Sequence, residues 1–336
     1  MTAGPAEIAA ALLTFAAPRA RDLVDLGRCA EEQGYAACYT TESLTDTLAI
    51  DLAILLATSR IRVGSFVAVS YLRHPVIAAQ AAVTASDLSG GRFVLGLGLG
   101  HELRLRALGL SPGRPTVDLP AYVRDVKAVL SGRGRERYPD LPEQTYQDRV
   151  LDFPTPVDPV PVHTAAVGPR MAEAGAAVAD GIMVWLVPRA GIGELVAAAG
   201  RGAGVAGRGI PPVEVAVHAF VADDLDAART SARASLAYWL GLPAYNRALV
   251  RAGYRLEAER IAAAFRRGDR PGLRAAISDR LVDEYCVVGP PGRCRDQLES
   301  WQATGAATVA LVPHPVLPGE GYAEGVRRSL EALAPV

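Results

Sequence analysis

The run Asp87-Leu88-Ser89-Gly90-Gly91-Arg92-Phe93-Val94-Leu95-Gly96-Leu97-Gly98-Leu99-Gly100-His101 joins a helix stop, a buried strand, bare backbone and one ionisable ring. Ser89-Gly90-Gly91 suits a helix end, because glycine accepts the left-handed turn that closes many helices. Phe93 to Leu97 reads as a strand apolar on both faces, the pattern of a parallel sheet covered on both sides. Gly98 and Gly100 carry no Cβ, so a flat ligand is expected directly against the backbone at the strand's carboxyl end. His101 then stands at the rim with a ring able to exchange protons near neutral pH, and is the first candidate for catalysis; Glu102 is the second. Two other readings are open: a dinucleotide-binding loop, although His101 occupies the place of its third glycine, and a glycine-rich turn with no ligand.

A second candidate lies at Ala165-Ala166-Val167-Gly168-Pro169-Arg170. Small residues leave a strand and open a helix whose first backbone N–H groups point outward, an arrangement that suits a phosphate, with Arg170 adding charge. The same residues also read as a plain helix start with Pro169 in its first turn. His74 precedes Pro75 at a helix start and reads as structural. His163, His218 and His314 lack metal-site spacing, so no metal is expected.

Alternating strand-like and helix-like segments must position these residues. Strands are expected over Glu7 to Phe15, Ala36 to Thr41, Ile61 to Val69, Phe93 to Leu97, Val162 to Val167, Gly181 to Val187, Val213 to Val221 and Thr308 to Val312. The intervening helices include Ala20 to Gln33, Thr47 to Thr58, Pro75 to Leu88, Leu119 to Leu130 and Met171 to Ala179. Eight strands in βα order predict one α/β domain over residues 1–336, a (β/α)8 TIM barrel with its site at the strands' carboxyl ends. Insertions are expected after strand four, over Arg133 to Pro161, and between strands seven and eight, over Asp226 to Arg280. The latter carries Tyr238, Trp239, Tyr245 and Tyr254, either as a cover for the mouth or as ordinary core.

Half of the 336 residues are hydrophobic and 21% charged, enough for a large core. The net charge of −1 argues against nucleic acid or an acidic membrane as main partner. Four dispersed cysteines fit reduced thiols in a cytoplasmic protein. No secretory leader or membrane span is expected.

The chain resembles the luciferase-like superfamily, and within it the oxidoreductases that use the deazaflavin F420. The resemblance is carried by Ala30-Glu31-Glu32-Gln33-Gly34-Tyr35, Thr41-Glu42-Ser43, Thr58-Ser59-Arg60-Ile61-Arg62-Val63-Gly64, Arg73-His74-Pro75-Val76, Leu88 to Gly98, Val167-Gly168-Pro169-Arg170-Met171 and Ala179-Asp180-Gly181. It implies a hydride transfer between F420 and a small imine, enone, conjugated double bond or alcohol. Alternatives are a monooxygenase using reduced FMN, and a relative without cofactor or catalysis. It further implies that Glu42 stands beside the cofactor ring as a binding or proton-sharing acid, or else is a helix cap or solvated carboxylate. A non-proline cis peptide and bulge are implied within Gly64 to Val67, most specifically at Ser65-Phe66, with Ser65 and Phe66 behind the ring. Gly98, Gly100, Ala165 to Arg170 and Trp185 would complete the cofactor contacts, although Trp185 also reads as core. Ser43, Tyr71 and His101 would face substrate; Ser43 departs from the histidine of deazaflavin-dependent sugar dehydrogenases. A homodimer and a separate cofactor reductase are the expected partners.

Overall fold

The computed structural model describes residues 5–16, 19–43, 45–138 and 155–335. Most of the expected excursion over Arg133 to Pro161 lies outside the described residues.

The strands are β1 (Glu7–Leu12), β2 (Ala37–Thr40), β3 (Arg62–Ser65), β4 (Ala68–Val69), β5 (Phe93–Gly98), β6 (Val162–Ala166), β7 (Gly181–Trp185), β8 (Val213–Val221), β9 (Cys286–Gly289) and β10 (Thr308–Pro313). All pairings are parallel. The order runs β10-β1-β2-β3-β5-β6-β7-β8, and β10 also pairs β8, so the sheet closes into the expected (β/α)8 barrel.

Three expectations change. The first strand ends at Leu12, and Thr14–Ala16 forms a 3-10 turn. The third strand is interrupted: β3 stops at Ser65, the Phe66-Val67 peptide is cis, and β4 resumes beside β5 at Ala68. The cis bond falls within Gly64 to Val67, as the resemblance implies, but one residue later than Ser65-Phe66. Ser65 stays in register with Thr40 while its Oγ donates to Gly96 O and accepts from Gly96 N, so the chain departs only after it. Finally, β9 has no counterpart among the expected strands. It pairs the carboxyl half of β8, from His218 to Val221, along the edge that β7 occupies only up to Ala216.

Inside the barrel, small and large side chains interlock. Ala9, Ala11, Ala37, Ala216 and Ala310 leave room for Tyr39, Phe66 and Met183, and all of these belong to one buried cluster. A larger cluster fills the shell between strands and helices. Two polar clamps hold this shell to the strand entrances. Glu31 accepts the backbone N–H groups of Ser59, Arg60 and Ile61. Burial works against its ionisation, but these donors outweigh it and hold its carboxyl below the usual range. Arg92 donates to the carbonyls of Leu55, Thr58 and Ile61, which satisfies the end of α2 (Thr47–Ala57).

The segment after β8 forms helices α9 (Leu225–Gly241), α10 (Pro243–Arg251), α11 (Arg255–Arg266), α12 (Arg270–Ala275) and α13 (Asp279–Tyr285). They share a third buried cluster with Leu186, at the exit of β7, so this cap is anchored on the carboxyl side of the barrel. No helix among the described residues is long and apolar enough to cross a membrane.

Candidate active site

Alternation along the strands points every second side chain inward. At the carboxyl end of the barrel these positions form a continuous aromatic floor. Tyr39 and Phe66 meet edge-on at 5.6 Å, Phe66 and Trp185 lie 5.9 Å apart, and Trp185 meets His218 edge-on at 5.3 Å. His218 stacks on His314, with Nδ1 of the first 2.7 Å from Nε2 of the second, and His314 stacks on Phe220 at 4.4 Å. Burial pushes the pKa of His218 down to about 3 and, together with the neighbouring His218, that of His314 well below the ordinary value, which favours the neutral form of each ring. His218 Nε2 is buried with no hydrogen-bond partner.

Linear spacing alone does not join these two histidines, which lie 96 residues apart. The available signal is strand parity. Counting from Ala216 and Ala310, both inside the barrel, places His218 and His314 on the same face of neighbouring strands once closure is assumed.

The two exit glycines make room for the segment that follows β3. A Cβ on Gly98 would collide with the Val67 side chain and come within 3.3 Å of Ala165, while one on Gly100 would meet Val69 at 2.8 Å. Their bare backbone accommodates the bulge after β3. Phe66, 4% exposed, and Val67 are therefore what the break between β3 and β4 offers the mouth. Ser65 is fully buried and committed to Gly96.

Glu42 is 4% exposed at its side chain and forms a two-toothed ion pair with Arg73, whose Nη1 donates to Oε2 at 2.9 Å. Val69 N–H donates to the same oxygen, and Arg104 binds the Glu42 carbonyl at 3.0 Å. A carboxylate offers about four acceptor positions; three are used here. Glu42 thus clamps β4 and α4 (Glu102–Ala107) to the exit of β2. Ser43 Oγ lies 3.0 Å from Thr14 Oγ1. Tyr71 is likewise engaged, donating to Asp118 at 2.6 Å and accepting from Gly113 N–H.

His101 precedes α4 and makes no side-chain cap. Its ring packs against Trp239 of α9 at 4.9 Å and Tyr245 of α10 at 6.1 Å. Burial there, aided by the charge of Arg104, lowers its pKa. Trp239 and Tyr245 of the insertion therefore cover the exit of β5.

At the exit of β6, Gly168 caps α7 (Pro169–Ala176), with Pro169 in the first turn and Arg170 exposed. Arg251, from α10, donates to Val167 O at 2.8 Å, and its guanidinium would lie 3.2 Å from a Cβ on Gly168. Arg251 thus brings a guanidinium to this turn from the cap, where its Nε also lies 3.9 Å from Glu194 Oε2. Ala165 lies on the barrel side, whereas Ala166 is buried in the outer shell and faces the helices. At the exit of β7, Leu186 adopts a positive φ of 51°. That turn sends Leu186 into the cap cluster while Trp185 bridges cap and barrel.

A cavity of about 480 Å³ opens at the opposite end, lined by Glu7, Arg62, His163 and Glu214. It lies at the strands' amino ends, where barrel residues support stability. Among the described residues, no three His, Cys, Asp or Glu side chains converge to hold a metal ion.

The family model for luciferase-like monooxygenases matches residues 3–308. The 5,10-methylenetetrahydromethanopterin reductase of Methanolobus tindarius is 25% identical over 287 residues, 84% of this chain and 87% of that protein. Among solved structures, a coenzyme F420-dependent tetrahydromethanopterin reductase from Methanopyrus kandleri is similar, with TM-score 0.76, 20% identity and 98% of each chain covered. An F420-dependent secondary alcohol dehydrogenase in complex with an F420-acetone adduct gives TM-score 0.71 at 15% identity, covering 98% of this chain and 99% of the other.

Proposed function

The chain belongs to the luciferase-like monooxygenase family, and on that premise we propose that it is an F420-dependent oxidoreductase acting on a small organic substrate. The observation that carries this reading is an aromatic floor beside a helix start that carries Gly168 and an exposed Arg170 and is reached by Arg251 from the cap. Phe66 and Trp185 supply flat apolar faces for a tricyclic ring. Gly168, Arg170 and Arg251 suit the phosphate of its tail. The unpaired Nε2 of His218 adds a polar atom beside that floor. These residues fit F420, and most of the same features would admit FMN.

The chemistry that F420 supplies when bound is hydride transfer, to an imine, enone or other conjugated double bond, or in reverse from an alcohol. The chain's own part is to bind, orient and exclude water. Trp239 and Tyr245 close over His101, which exchanges a proton with substrate as a neutral imidazole. Glu42 holds the rim in place through Arg73 and Val69. A homodimer served by a separate reductase belongs to the same reading.

Mixing the purified chain with reduced F420 and a panel of enones, cyclic imines and ketones tests the proposal. Substrate-dependent oxidation of the deazaflavin without oxygen is the expected result. Oxygen-dependent turnover of reduced FMN alone would replace it with the monooxygenase reading.

A further inference from the structure

His218 and His314 lie 96 residues apart and share one hydrogen bond of 2.7 Å. The two atoms it leaves over are unlike. His218 Nε2 is buried and unpaired, whereas His314 is half-buried at the end of β10. Trp185 and Phe220 flank the pair with aromatic faces.

We propose that His314 and His218 form a two-imidazole proton relay from solvent to the substrate side of the barrel mouth, entering at His314 Nδ1 and delivering at His218 Nε2. The inference rests on reading that mouth as the hydride-transfer site. As hydride reaches the substrate carbon, the substrate's heteroatom takes the proton on His218 Nε2. His218 Nδ1 takes the proton on His314 Nε2, and His314 Nδ1 takes one from water. Both rings begin and end neutral, changing only tautomer. The sum is one hydride from the cofactor and one proton from water, a two-electron reduction. The relay is thus a proton source separate from His101.

The test needs neither cofactor nor substrate. In the chain labelled with 15N-histidine, NMR should show both rings neutral at pH 7 and in matching tautomers, as a shared Nδ1···Nε2 proton requires. The lifetime of the His218 Nε2 proton against water should then lengthen at least tenfold in His314→Phe, which fills the same space against Phe220. His314→Gln, smaller and polar, provides the same comparison if the phenylalanine variant does not fold. Mismatched tautomers, or an exchange rate unchanged by either substitution, would overturn the relay. Because the spectra are taken without F420, failure of the cofactor assignment is registered separately, by binding.

Discussion

Arg170 stands exposed at the start of α7 and Arg251 reaches the same turn from the cap. A charge-assisted hydrogen bond contributes about 1.5–3 kcal/mol, less at an exposed site. Arg170→Ala should therefore weaken F420 binding about tenfold and flatten its salt dependence, read by fluorescence titration at two ionic strengths. Unchanged affinity and salt response would remove the phosphate from this turn. His101→Gln should lower turnover about 10²-fold, within the usual range for acid–base catalysis, while cofactor affinity holds. Because burial lowers its pKa, the limb it controls lies below 6.5, and a profile with no limb there would exclude it. Asp51 is fully buried, its Oδ1 accepting from Thr40 at 2.6 Å, and burial raises its pKa well above 3.8. The folded state then holds a proton that the unfolded state releases, so this group's contribution falls as pH rises above about 4. Asp51→Asn should remove that slope from a plot of Tm against pH; parallel plots for both proteins would refute a protonated Asp51. His101 and Arg170 were legible because their signals are local. His218, His314 and Arg251 were not, since their partners come from 96 and 84 residues away.

The seam between β3 and β5 shows how an element sets the site. Gly96 faces the Ser65 carbonyl and Met183 so closely that a Cβ would strike backbone. Gly96→Ala should cost about 2–4 kcal/mol in urea unfolding, the scale of an unrelieved core clash. Gly200 lies inside α8 (Ile192–Val205) with only ordinary contacts to Ile210 around its absent Cβ. Gly200→Ala should stabilise by about 0.5–1 kcal/mol. Equal effects at the two positions would contradict the packing described. The same seam marks a limit of pattern reading. Ile61 to Val69 is apolar enough to read as one strand, and hydropathy carries no sign of Ser65 replacing the ladder by bonding both Gly96 backbone groups. Gly98 and Gly100 were recognised as special, but the tenant of their missing side chains is Val67 and Val69.

At the scale of the molecule, eight apolar runs separated by helices made the barrel readable, because closure follows from their order. The four residues of β9 escaped notice since they follow α13 directly and complete no βα unit of the barrel. The cap was read as added helices, while its hold on His101 depends on where α9 and α10 dock. Barrel, floor, cationic turn and cap together amount to a claim that this chain takes a deazaflavin. The most direct measurement is a parallel fluorescence titration of the purified chain with F420 and with FMN. Micromolar binding of F420 with none for FMN is the predicted result, and binding of FMN alone, or of neither, would contradict it.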